Sequence, residues 1–353
     1  MKRVVLSIVA AIALATPALA ADLKMLTKAP PPPPSPWDLA FGDAIMTDYM
    51  WRGITQSAHR GSVATYFEPR YNFNSSLQGY IGLSGESIDF PNHAAAEIDV
   101  YGGIRPTFDK LALDFGGWLY YYPGGQCFSG GTAFQTGAQA CGSFSAGNNF
   151  QGGLLPNNNV AALGNPFITG NAAKAYASFF EIYAKGTYTV NDSWSLGAQA
   201  YWSPSVSNSG APGTYVAGTI KYTAPSGGLP LPKDVGWYAS VDGGYWWLGT
   251  SDAFYGTAGF PALGIPAFPN GIKYTSFANV DVGFGFTWKV FTLDFRYYAT
   301  NLNKGDCNAF TSDHTAGFNG SFTAINPTGL GSNWCSQTVV VKLSSDLTLA
   351  NLK

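Results

Sequence analysis

An antiparallel, all-β transmembrane barrel of about twelve strands is the fold this sequence predicts, and three features predict it. Charged residues make up only 11% of the 353 residues, while aromatics reach 15% and glycine contributes 43 positions. Long stretches alternate apolar and polar residues with a period of two. The connections between those stretches alternate between short and long. A soluble domain carries roughly 25% charged residues, and one this poor in charge would associate. A barrel in lipid needs this composition: an apolar outer band, aromatic girdles and a polar interior.

The first residues predict a secretory signal over 1–20. Lys2 and Arg3 precede an apolar run over 4–15, and Ala18-Leu19-Ala20 fits the small-residue cleavage rule, so the mature chain is expected to start at Ala21. The apolar run is shorter than the ~20 residues of a spanning helix. Residues 29–36 are nearly all proline, which lacks the N–H and fixes φ. A stiff periplasmic tether is therefore expected over 21–37, with the outer-membrane barrel over 38–353. No other stretch could span a membrane as a helix.

The alternation is clear in 63–73. Val63, Thr65, Phe67, Tyr71 and Phe73 share one face; Ala64, Tyr66, Glu68, Arg70 and Asn72 share the other. Such alternation marks a half-buried strand. It predicts segments near 39–53, 63–73, 77–87, 95–107, 110–122, 177–190, 194–203, 213–223, 234–249, 274–288, 291–300 and 337–349. The first alternates least cleanly around Asp43 to Thr47, which suggests a bulge there. Tight turns lie at 74–76, 108–109, 191–193 and 289–290, with the Pro/Gly run 224–233 as their one longer companion. The other joins are longer, notably 123–176 and 301–336. Short periplasmic turns and long external loops are the habit of outer-membrane barrels. A soluble sandwich has no reason to sort its loops this way.

Closure in lipid turns the apolar face outward. The lumen is then expected to hold Asp48, Arg52, Glu68, Arg70, Glu86, Glu97, Asp99, Arg105, Asp114, Glu181, Lys185, Lys221, Asp242, Asp281, Asp294, Arg296, Lys342 and Asp346. Trp194, Trp237, Trp247, Trp288 and Tyr121 lie on the outward face near segment ends, where girdles belong. Cys127 and Cys141 share one long loop, and Cys307 and Cys335 flank another. In an oxidising compartment two intraloop disulfides are expected.

Little points to an enzyme. His59, His93 and His314 all fall in expected external loops, and Asp313-His314 is the one neighbouring carboxylate–imidazole pair. There is no Gly-x-Ser-x-Gly elbow, no phosphate-binding glycine loop and no His/carboxylate cluster with metal spacing. No cofactor or metal is expected. The chain is mildly acidic, at −2, without a basic stripe, which argues against nucleic acid as a partner.

Thr47-Asp48-Tyr49-Met50-Trp51-Arg52-Gly53-Ile54-Thr55-Gln56 resembles the opening strand of the TorF porin family. So do Gly79-Tyr80-Ile81-Gly82, Glu97-Ile98-Asp99-Val100-Tyr101-Gly102-Gly103 and Trp118-Leu119-Tyr120-Tyr121-Tyr122-Pro123-Gly124. The resemblance is specific over 43–124 and weaker over 178–202 and 234–300. It implies an exported barrel with a channel role and supplies no catalytic residues. Loops 123–176 and 301–336 are longer than that family carries, and the C-terminal Leu349-Ala350-Asn351-Leu352-Lys353 lacks the final aromatic residue common in outer-membrane barrels.

These readings lead to a porin-like channel in the outer membrane of a Gram-negative bacterium, passing ions or small polar solutes. Acidic residues outnumber basic ones in the expected lumen, which predicts a weak cation preference. The alternative is a barrel plugged by its own side chains that acts through its external loops. An outer-membrane hydrolase is the third and weakest reading. No outward face is polar enough to single out an oligomer interface.

Overall fold

The computed structural model describes residues 35–126, 128–129, 172–225, 231–232, 234–257 and 261–349. The expected signal segment, most of the tether, Cys127 and Cys141 lie outside the described residues.

Twelve antiparallel strands close into a barrel. They are β1 (Trp37–Met46), β2 (Ser62–Asn74), β3 (Leu77–Glu86), β4 (Glu97–Phe108), β5 (Leu111–Tyr121) and β6 (Phe179–Thr189), followed by β7 (Trp194–Ser203), β8 (Gly213–Thr223), β9 (Val235–Leu248), β10 (Phe277–Trp288), β11 (Phe291–Thr300) and β12 (Thr338–Thr348). Each strand pairs with its neighbours in sequence, and β12 returns to β1 from Ala40↔Thr348 to Met46↔Lys342. No edge is left over, as lipid requires. The predicted segments 194–203, 213–223 and 291–300 coincide with β7, β8 and β11.

Local chemistry fixes the turns. Asn74 Oδ1 accepts from the Ser76 amide at 2.8 Å, and Asn191 Oδ1 accepts from the Ser193 and Trp194 amides at 2.9 Å each. These are Asx turns, in which a short side chain replaces a backbone acceptor. Asp109 and Lys289 take left-handed φ values of 48° and 53° in the two tightest turns.

The outward face is apolar. Val63, Phe67, Ile81, Leu83, Val100, Ile182, Val282 and Leu343 are all exposed on it. Trp194, Tyr222 and Trp237 form an aromatic row at the short-turn end, with ring centroids 5.0 and 5.5 Å apart. Trp288 stacks on Phe291 at the same end. Tyr121 and Trp247 are exposed at the long-loop end.

The first segment departs from expectation. It ends at Met46 rather than continuing to 53, and Thr47 onward turns into the barrel. The register of β1 with both neighbours runs without a break, so the expected bulge is absent there. The irregularity lies in β2, between Asn72 and Asn74. The cause of the early ending is Asp48. Its carboxylate accepts from Thr55 Oγ1 at 2.5 Å and Ser57 Oγ at 3.0 Å, so the chain folds back on itself instead of continuing the ladder.

Glycine on the inward face makes room for tyrosine across the ladder. Gly82 faces Tyr101, and a Cβ there would meet the Tyr101 ring at 2.1 Å. Gly116 faces Tyr183 in the same way, at 2.5 Å from its hydroxyl. Replacing Gly82 with valine should therefore overpack the wall and cost about 1–3 kcal/mol. Urea unfolding of the refolded barrel in detergent, followed by tryptophan fluorescence, measures this; an unchanged midpoint would contradict the packing.

Candidate functional site

The chain that leaves β1 forms a small hairpin inside the lumen. Met50–Trp51 pairs with Ile54–Thr55, and Arg52 and Gly53 form the turn with φ values of 51° and 78°. Two left-handed central residues are the mark of a tight hairpin turn, and glycine suits the second. Arginine at the first is unusual, and its surroundings hold it there.

Arg52 donates Nη1 to Glu181 Oε1 at 2.9 Å and Nη2 to Glu181 Oε2 at 2.7 Å. Glu181 sits on the inward face of β6 and also accepts from the Tyr120 hydroxyl at 3.1 Å. The guanidinium carbon lies 4.4 Å from the rings of Trp51, Tyr215 and Trp246 and 5.0 Å from Tyr201. The two charged side chains are only 5% and 1% exposed. A planar, weakly hydrated guanidinium satisfies a carboxylate in two bonds and rings with its faces at once, which an ammonium cannot. A Cβ on Gly53 would come within 2.6 Å of Thr300 and 3.1 Å of Asn279, on β11 and β10. The hairpin thus reaches from the β6 wall to the β10–β11 wall, across the lumen.

The hairpin is also tied above. Thr55 N donates to Trp334 O at 3.0 Å, and the Tyr49 hydroxyl donates to Glu97 Oε1 at 2.7 Å. His59 Nδ1 lies 2.7 Å from Asp48 Oδ2 and its Nε2 3.0 Å from Asn333 O. The hydrogen bond to Asp48 raises the His59 pKa above its ordinary value, against partial burial, which lowers it.

Loops from the long-loop end complete the closure. Trp246, Leu248, Ile272, Tyr274, Phe277, Val206 and Trp334 form a buried apolar cluster around Ile54. Helix α1 (Lys304–Thr311) adds Phe310, and the expected Cys307–Cys335 disulfide is present, with 6.0 Å between Cα atoms. A cavity of about 90 Å³ remains above the hairpin, lined by Trp51, Phe90, Tyr274, Phe310 and Trp334, with Lys174 and Asn92 among its polar groups. Lys174 is ion-paired with Asp252.

Toward the short turns the lumen is roomier and polar. One cavity of about 390 Å³ is lined by Arg105, Asp114 and Lys185, and another of about 350 Å³ by Lys221, Lys342 and Asp346.

The expected luminal charges on strands all sit on the inward face, mostly in networks. Glu68 accepts from Arg70 Nε at 2.6 Å and Arg105 Nη1 at 2.7 Å, and Arg105 Nε reaches Asp114 at 3.2 Å. Arg296 reaches Asp281 at 2.6 Å, Asp294 at 3.2 Å and Asp242 at 3.3 Å. Lys185 lies 4.3 Å from the Tyr183 ring. Glu86, Glu97 and Asp99 cluster near the hairpin. Asp48 and Arg52 are a correction: they reach the lumen from the inward loop, not from a wall strand.

Asp313 and His314 do not form a dyad. Asp313 accepts from Ser332 Oγ at 2.7 Å and Thr315 Oγ1 at 2.6 Å, whereas His314 Nε2 lies 3.4 Å from Asp89. Burial lowers the His314 pKa. The sequence reading missed the aromatic cage. Trp246-Trp247 carries a signal, because adjacent strand residues face opposite ways and one of two tryptophans must enter the lumen.

The model of a family described as a bacterial protein of unknown function, Gcw_chp, matches residues 31–146. That span contains the whole of 43–124. No curated protein matches the chain. Among solved structures, the KdgM porin is 8% identical with a TM-score of 0.36, covering 87% of this chain and 98% of its own. The NanC porin is 6% identical at 0.37, covering 88% and 100%. LpxR from Salmonella typhimurium is 7% identical at 0.37, covering 87% and 99%. A closed barrel with an apolar belt and aromatic girdles belongs in the outer membrane of a Gram-negative bacterium.

Two predictions follow from the clamp. Arg52→Ala strands the Glu181 carboxylate without its partner and should cost about 3–5 kcal/mol, whereas Arg52→Met with Glu181→Leu removes both charges and should cost much less. Urea denaturation of the three proteins decides this; equal losses would exclude a paired, buried contact. The His59–Asp48 contact has the opposite pH sense from a carboxylate pair. A raised folded pKa means its stabilisation is full below about pH 6.5, the ordinary histidine value, and is lost as pH rises through the raised one. Amide exchange over residues 47–60 should accelerate, beyond its intrinsic pH trend, from pH 6 to 9 in the native chain but not in His59→Gln.

Proposed function

We propose that this barrel is a porin-like channel for ions and small polar solutes, and that the Arg52 hairpin is its constriction. One observation carries the reading: the element across the lumen lies outside the wall's strand ladder and meets the β6 wall through the Arg52–Glu181 side-chain pair. Such an element can leave without breaking the wall. The polar cavities toward the short turns suit a vestibule, with Glu68, Arg70, Arg105, Asp114, Lys185, Asp242, Asp281, Asp294 and Arg296 as its lining. Twelve strands fall between the eight that side chains fill and the sixteen of open porins, which suits a narrow path. The resemblance of residues 43–124 to the TorF porin family supports the same reading. The proposal includes export, with a leader over 1–20 and a tether over 21–37.

The weak cation preference belongs to the external half. Of the expected luminal charges, Asp48, Glu86, Glu97, Asp99 and Glu181 lie there with Arg52 as the one basic member, while acids and bases balance below. A second reading, a closed barrel working through its loops, is favoured by the apolar cluster that seals the external end.

Single-channel recording in planar bilayers tests the proposal. The native barrel should give small steps with a reversal potential on the cation side. Arg52→Ala should raise the open probability or step size several-fold. Arg52→Lys, which keeps the charge but loses the two-pronged bond, should lie between. Folded variants that pass no more current than the native chain would support the second reading instead.

A further inference from the structure

The lumen treats its facing carboxylates in two different ways. Asp242 and Asp281 lie directly opposite each other on β9 and β10, and Arg296 reaches both. Glu68 has Arg70 and Arg105, and Glu181 has Arg52. Glu86 and Glu97 also lie directly opposite each other, on β3 and β4, with Asp99 two residues further along β4 and opposite Ser84. Among the described residues none of these three makes a salt bridge.

Their geometry converges. One carboxylate oxygen from each of Glu86, Glu97 and Asp99 lies within 4.8 Å of the others. Glu97 is 2% exposed and Asp99 3%, while Glu86 is half-buried. Glu97 is held from behind by the hydroxyls of Tyr49, at 2.7 Å, and Tyr122, at 2.9 Å. Asp99 Oδ2 accepts from Ser84 Oγ at 3.3 Å. Asp99 Oδ1 and Glu86 Oε2 are buried and take no hydrogen bond. Like charges facing across a ladder repel, and a buried carboxylate oxygen without a donor is costly. The facing pairs elsewhere in the lumen have an arginine between or beside them; here three carboxylates converge with two buried oxygens left without a donor.

We propose that Glu86, Glu97 and Asp99 form a binding site for a hard divalent cation of the calcium class, coordinated by the three carboxylates and completed by water. Oxygen-only ligands select such ions over zinc or copper, which favour nitrogen and sulfur. Calcium, with its variable coordination, suits three ligands on a wall better than magnesium, which demands a near-ideal octahedron. This site stands whether or not the barrel conducts.

Terbium luminescence tests it directly, because Tyr49 and Tyr122 stand beside the site as antennas. The folded full-length barrel in detergent should show saturable, sensitised terbium emission at one ion per barrel, displaced by calcium. Glu86→Gln with Asp99→Asn should weaken terbium binding at least tenfold. Should the double variant lose the heat-modifiable migration of a folded barrel, Asp99→Asn alone carries the test, with a loss of several-fold. Absence of saturable emission in the native barrel would overturn the site; the carboxylates would then share a proton instead. Emission of equal affinity in the folded variants would overturn it as well.

Discussion

Closure of the sheet is the constraint from which the other features follow. In hydrocarbon each backbone N–H and C=O must be paired within the protein, and the β12–β1 ladder closes the wall. Closure also sorts side chains. Most apolar strand residues turn outward, Trp246, Leu248 and Phe277 enter the packed external end, and the expected luminal charges are gathered into one narrow, partly dehydrated space. There a charge left alone is costly, and pairing is the remedy. The barrel and its inward hairpin meet this with arginine. Arg52, Arg105 and Arg296 each satisfy a carboxylate with more than one nitrogen or join several carboxylates. Lysine appears where the lumen is roomier, as Lys221 and Lys342.

Twelve strands enclose more space than wall side chains alone can fill. The external half is therefore packed with chain that does not belong to the wall: the hairpin after β1, helix α1 and the loop residues around Trp246. This is a small core of the ordinary kind, built of Trp, Tyr, Phe and Ile, but placed inside a membrane barrel. The hairpin does not join the strand ladder of the wall, and the Arg52–Glu181 contact that ties it to β6 is side chain to side chain. Local opening of such a unit costs less than unfolding the ladder, and that difference separates a movable constriction from a fixed plug.

The strands were legible because lipid outside and polar groups inside impose the period of two on every crossing, from 63–73 to 291–300. The inward hairpin was not legible for the same reason: it is itself β-structure, so residues 47–53 continue the alternation of β1. Its one local signal is Trp51-Arg52-Gly53-Ile54, where a glycine stands at the second position of a tight turn. The luminal face of Glu181 or Arg296 followed from parity alone. Their partners did not, because Arg52 and Glu181 are 129 residues apart and meet only once strand stagger brings β6 beside the hairpin. The facing of Glu86 and Glu97 is different. They are the last and first residues of consecutive strands, and hairpin logic puts such residues opposite each other.

That adjacency connects the acidic trio to the hairpin. Tyr49 belongs to the inward loop, and its hydroxyl donates to the same Glu97 that faces Glu86. Glu97 therefore meets the loop on one side and the acidic cluster on the other. An ion bound by the trio and a hairpin seated in the lumen share one carboxylate, so each alters the environment of the other. A bound ion can shift an equilibrium only by its difference in affinity for the two states. Tyr49 would supply that difference, because its hydroxyl donates to Glu97 with the hairpin seated. In the proposed channel, ion occupancy and the seating of the hairpin would meet at a single residue of β4, Glu97.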